Sequence, residues 1–205
     1  MSVLLDAGPC LNFLAVSQQN ILIQAAAAAD LQIMAPERVD HEVADLARLD
    51  NRFARTGAGK TWATLKASGR VQVLSDTLAT QELTDAVTRI SGKPAADRMR
   101  QRKSLGEIMV LAHASVFAQA GQDVFVLIDE SDGRLRAEEE RRWLRRAASP
   151  GRLEMWSTVQ LLRAAGREQG WIAGDLTWEQ VYDKMRRFDD GLPPRESLGA
   201  KHSIR

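Results

Sequence analysis

Four acidic residues sit where side-chain chemistry could be assembled: Asp6, Glu42, Glu107 and Asp129. Each lies beside an apolar run, and no histidine or cysteine shares their pattern. Carboxylates gathered without a counter-charge repel one another, so such a group calls for a cation. A hard, oxygen-seeking ion, Mg²⁺ or Mn²⁺, suits an all-carboxylate set and keeps waters for a phosphate substrate. One or two such ions can orient and deprotonate water and stabilise charge on a phosphodiester, so the chemistry implied is metal-assisted hydrolysis of nucleic acid.

The elements that must position these acids can be read from periodicity. Apolar runs Val3-Leu4-Leu5, Val71 to Leu74, Val124 to Ile128 and Leu153 to Trp156 predict four strands separated by helical segments. The run 124–128 has no polar residue on either face, the signature of a strand buried on both sides of a parallel sheet. Strands alternating with helices predict an α/β layered fold. Asp6 and Asp129 each close a strand, so both are expected on the carboxyl rim, where open α/β sheets hold ligands. A turn or helix-cap carboxylate would also suit Asp6.

Glu42 falls on a helix predicted from Pro36. It lies about 60° from Val39, at the edge of the stripe Val39, Val43 and Leu46. A boundary glutamate covering the core with its methylenes would read the same way. Glu107 opens the helix 105–112, apolar nearly all round and therefore expected to be buried. Ser104-Leu105-Gly106-Glu107 also fits a capping box. Asp129, Glu130 and Asp132 follow one another closely; Asp129 is the expected member of the site, with Asp132 in reserve.

Composition sets the outer limits. The chain has 205 residues, 28 Lys+Arg against 27 Asp+Glu, a net charge of +1, and 44% hydrophobic residues. That describes one folded domain, excludes disorder, and leaves no bulk charge for binding nucleic acid. Contact with nucleic acid must then be local. The densest basic stretch is Arg98, Arg100, Arg102 and Lys103, within a long connection at 91–103; a second connection spans 51–69. A solvated face is the alternative use of such a run. One cysteine, Cys10, and three scattered histidines exclude an internal disulfide and structural zinc, and predict a reducing, cytoplasmic setting. No secretory signal or membrane-length apolar run is present. A single domain is expected over residues 1–190, with a tail at 191–205.

The order of four pieces resembles the PIN-domain nucleases, especially the VapC-type toxin ribonucleases. They are Val3-Leu4-Leu5-Asp6-Ala7-Gly8-Pro9 with Leu11 to Leu14 after it, Pro36 to Val43, Leu105 to Ala112, and Val126-Leu127-Ile128-Asp129-Glu130. The resemblance covers residues 1 to about 165. It implies a central parallel sheet flanked by helices, in three layers, and an acidic pocket of Asp6, Glu42, Glu107 and Asp129. Asp6, Glu107 and Asp129 would hold Mg²⁺ or Mn²⁺, and the activity would be that of an endoribonuclease. It also implies frequent homodimers and, for a toxin, a small antitoxin that inserts a cation among the acids. The extra material at 51–69, at 91–103 and at the C-terminus departs from compact toxins.

Two other uses of the chain compete. A binding module could keep the fold without catalysis and hold RNA or a protein. Ala54 to Thr61 resembles a relaxed phosphate-binding loop ending Gly-Lys-Thr, but such a loop needs a strand entering it, and residues 42–53 read as helix.

Overall fold

The computed structural model describes residues 1–199. Five strands form one all-parallel sheet: β1 (Ser2–Leu5), β2 (Gln32–Pro36), β3 (Val71–Leu74), β4 (Val124–Leu127) and β5 (Leu153–Trp156), in the order β3-β2-β1-β4-β5. Among the described residues ten α-helices connect and cover it. They are α1 (Ala7–Ala15), α2 (Gln19–Ala28), α3 (Glu37–Leu49), α4 (Ala58–Ala67), α5 (Gln81–Ser91), α6 (Ala95–Met99), α7 (Leu105–Gln119), α8 (Ser131–Arg146), α9 (Thr158–Ala165) and α10 (Trp178–Met185). The expected fold class, α/β with a central parallel sheet between helical layers, is what the chain adopts. No helix among the described residues is long and apolar enough to cross a membrane.

The four strands expected from apolar runs are present, and β2 is an addition. Its core, Ile33-Met34-Ala35, is short, contains only one β-branched residue, and is closed by Pro36, so its local strand signal is weak. Pairing on both sides decides it: Val3 lies opposite Ile33 in β1, and Ile33 opposite Val71 in β3.

Helix α7 crosses the sheet, touching β1, β2, β4 and β5, with α5 and α8 against it. Its residues Leu105 to Ser115 are all buried, as the all-round apolar pattern requires. Helices α1, α2, α9 and α10 pack on one another in the other layer. Helix α3 touches both α1 and α7, bridging the two layers above the strand ends. Cys10 is a free, buried thiol whose pKa burial pushes upward.

The chain beyond residue 190 packs back in part. Leu192 is buried, the Tyr182 hydroxyl donates to the Pro193 carbonyl, and Arg163 donates to the Leu198 carbonyl. Residues 195–199 form a 3₁₀ turn. The rest of the expected tail, 200–205, lies outside the described residues.

The phosphate-loop reading fails on context. Residues 51–57 are turns that follow α3, and Gly57 caps α4 in the left-handed region at φ 79°. No strand enters the loop; the nearest, β3, comes after α4.

Candidate active site

The sheet order reverses direction between β1 and β4, since the chain moves from β1 toward β2 and β3 and later from β4 toward β5. Open parallel sheets leave a crevice outside the strand ends at such a switch point. In register Leu5 lies opposite Leu127, and the Asp6 amide donates to the Leu127 carbonyl at 3.2 Å. Asp6 and the segment starting at Asp129 therefore leave adjacent strands on the same rim. A cavity of about 600 Å³ opens there, lined by Asp6, Glu42, Glu107, Asp129, Glu130 and Asp132 among others. The four acids expected from the sequence are brought to one place by four different elements.

Two glycines make room for two of the carboxylates. A Cβ on Gly106 would lie 2.9 Å from Glu42 Oε2, so the first turn of α7 must be bare where α3 presents Glu42. A Cβ on Gly133 would lie 2.9 Å from the Glu107 carboxyl carbon and 2.7 Å from Ile128 Cγ2. Glycine is thus needed at both positions for close approach rather than for backbone freedom.

Electrostatics ties the group together. The Asp6 carboxyl is pushed up to about 7, first by burial and then by repulsion from Glu42, Glu107 and Glu130, against the lowering effect of the Ala7 amide. Asp6 stands at the N-cap position of α1, but its side chain makes no capping hydrogen bond there beyond the adjacent Ala7 amide. Glu42 faces the cavity and is raised by burial and by Glu130, with Arg38 opposing. Glu107, 5% exposed, is raised by burial and pulled back by an ion pair with Arg136 of α8. The capping box expected at Ser104 does not form: the Ser104 side chain caps nothing, its φ is 52°, and the Glu107 carboxylate goes to Arg136 instead.

Asp129 differs from its neighbours. Its Oδ1 accepts the Thr158 amide at 2.9 Å and its Oδ2 the Thr158 hydroxyl at 2.5 Å, so the carboxylate is anchored to the start of α9. Burial still raises its pKa, with the Thr158 hydrogen bonds opposing and Asp189 adding repulsion. Glu130, next along the chain and exposed, repels Asp6, Glu42 and Glu107 together. Asp132, in the first turn of α8, acts on Glu107. All three acids of the 129–132 segment line the cavity, and Glu130 is the one coupled to the other three.

The basic stretch is divided. Arg98 is buried at 5% exposure, and its guanidinium donates to the Gln101 and Lys103 carbonyls, so it braces the loop and is not free for a phosphate. This corrects its expected role in binding RNA. Arg100, Arg102 and Lys103 are exposed. Sequence reasoning missed Arg136, which lies in an unremarkable charged helix, and Asp189, which lines the cavity and accepts from Asn12 Nδ2 at 2.7 Å. Nothing local marks Asp189, whose partner is 177 residues away.

The donor set fits a hard divalent cation in chemistry and charge: oxygen ligands only, a buried carboxyl with no side-chain partner at Asp6, and spaces kept clear by Gly106 and Gly133. It does not yet close around one. Among the described residues no three of the acids already meet at a metal's distance, and two of them have partners in the fold, Arg136 for Glu107 and Thr158 for Asp129. Comparison with family models, curated proteins and solved structures returned no match.

Proposed function

We propose that the protein is a Mg²⁺- or Mn²⁺-dependent endoribonuclease of the PIN type. The observation that carries this reading is the convergence of Asp6, Glu42, Glu107 and Glu130 on one cavity at the β1/β4 switch point, where burial first and repulsion from the other acids second push the Asp6 carboxyl up to about 7. In this reading Asp6, Glu107 and Glu130 would hold the ion and Glu42 completes the pocket; Asp129, the ligand expected from the sequence, has both oxygens on Thr158 and instead orients the segment that carries Glu130. When bound, the ion would supply a Lewis acid and a water made acidic enough to attack a phosphodiester. The chain's own contribution is to keep the rim anionic, dry on the Asp6 side and open toward the substrate.

RNA as the substrate rests on the PIN resemblance together with local cations, the exposed Arg100, Arg102 and Lys103 on the segment leading to Ser104 of the cavity wall, which offer phosphates a contact without a bulk positive field. A toxin role, with an antitoxin whose cation enters among the acids, rests on the same resemblance, as does a homodimer. A non-catalytic binding module has one observation in its favour: Glu107 and Asp129 already have partners within the fold.

Incubation of the purified protein with a mixed RNA pool separates these readings. Cleavage is expected with Mg²⁺ or Mn²⁺, to be abolished by chelator, and to fall by orders of magnitude in Asp6→Asn and Glu130→Gln. Cleavage that survives chelation and both substitutions rules out the metal mechanism, and RNA binding without cleavage favours the module.

A further inference from the structure

Among the described residues, Arg136 is the one cation in an ion pair with a carboxylate of the proposed metal set. It reaches from the second turn of α8 to Glu107, which lines the cavity and is almost wholly buried, while Arg136 itself is one-third exposed. Beside it stands Arg98, immobilised by the Gln101 and Lys103 carbonyls and close enough for the two guanidiniums to repel each other. Arg38, on the first turn of α3, adds a third positive charge within range of Arg98 and Glu42, and its Nε is buried without a hydrogen-bond partner.

This arrangement has two stable uses for Arg136. With the acids unneutralised, Glu107 holds it. With a divalent ion shared by the acids, Glu107 is claimed, and Arg136 then faces the ion and Arg98, both positive, and keeps only the exposed Asp132 and Glu139 of its own helix as anions within helical reach. Its side chain has solvent on one side, so it can turn outward, where a phosphate offers the planar fork two oxygens.

We propose that Arg136 is an exchangeable counter-cation, paired with Glu107 in the metal-free protein and with a backbone phosphate of single-stranded RNA once a divalent ion occupies the acids. The inference rests on the proposed metal-dependent ribonuclease reading and adds to it a phosphate-binding residue and a coupling. Metal and RNA should bind cooperatively, because each takes one side of an ion pair that the other must break.

The test uses Arg136→Gln in the full chain, with Mn²⁺ binding read by calorimetry in the absence of RNA. RNA binding is read by fluorescence anisotropy with a phosphorothioate 2′-O-methyl RNA oligonucleotide, with Mn²⁺ and with chelator. Losing one competing cation at a partly solvated site should tighten Mn²⁺ by about tenfold. The same change should weaken RNA binding in Mn²⁺ and abolish the enhancement that Mn²⁺ gives the unsubstituted protein. Arg136→Lys, which keeps the charge without the fork, covers the case in which Gln unfolds the chain: it should bind Mn²⁺ at least as tightly as the unsubstituted protein and RNA less tightly. Weaker Mn²⁺ binding in both variants, or RNA binding unchanged in both, overturns the exchange. If the unsubstituted protein binds no Mn²⁺, the metal reading itself fails; if it binds Mn²⁺ and cleaves RNA while the variants shift neither affinity, only the role of Arg136 fails.

Discussion

Asp6→Asn in chelator should stabilise the protein at neutral pH, although it removes a residue of the proposed site. In the folded chain the Asp6 carboxyl titrates near 7, against an ordinary value of 3.8. Between those values the folded state keeps a proton that the unfolded state has lost. The contribution of Asp6 to stability is therefore fully present below about 3.8 and is lost as pH rises through about 7. Moving a carboxyl over that interval corresponds to about 4 kcal/mol, an upper bound because Asp6 opens onto a cavity where water screens it. Asparagine has nearly the same shape and no charge to desolvate. Urea unfolding of both proteins between pH 4 and pH 8 checks this: the variant should match the unsubstituted protein near pH 4 and exceed it by about 2–4 kcal/mol at pH 8. Added Mg²⁺ should narrow the gap by stabilising only the protein that binds it. Equal pH dependence of the two proteins, or an asparagine variant that is less stable at pH 8, would refute the claim that this carboxyl is desolvated among like charges.

The remaining predictions follow from contacts around the same cavity. Gly133→Ala forces a methyl against Ile128 Cγ2 at 2.7 Å and the Glu107 carboxyl at 2.9 Å, and should cost about 1–3 kcal/mol by thermal unfolding together with metal affinity. Gly106→Ala meets Glu42 Oε2 at 2.9 Å and Val39 Cγ2 at 3.3 Å. The closest atom is the end of a flexible side chain, so calorimetry should show weakened Mn²⁺ binding with a melting temperature lowered less than in Gly133→Ala. Thr158→Val leaves Asp129 with only the backbone amide at 2.9 Å, and should cost about 1–2 kcal/mol in urea while raising the Asp129 pKa seen by carboxyl NMR.

The layered fold was legible because its signals are local. The run 124–128 could be satisfied only by burial on both faces, and the helix 105–112 only by burial all round. Strand β2 was hidden because its strand character comes from neighbours on both sides rather than from Ile33-Met34-Ala35. The Ser104 capping box was a sound local expectation that lost to a distant partner: the guanidinium of Arg136 is worth more to a buried carboxylate than a backbone amide on the rim. The same competition took Arg98 out of the exposed basic stretch, since two loop carbonyls claim it.

By itself the sequence determined which chemistry was within reach, because carboxylates without histidine or cysteine suit a hard cation over a soft one and a single cysteine excludes a disulfide within the chain. It also determined the rim, since a carboxylate ending a parallel strand must lie at that strand's carboxyl end. Only the tertiary structure decided which acids act on one another. Electrostatic coupling depends on through-space distance, and Glu130, Asp129 and Asp132 are nearly equivalent along the chain while differing in partner: the other acids for Glu130, Thr158 for Asp129, and Glu107 for Asp132. The pairing of Arg136 with Glu107, formed across 29 residues between two packed helices, is of the same kind: it exists only once α8 lies against α7.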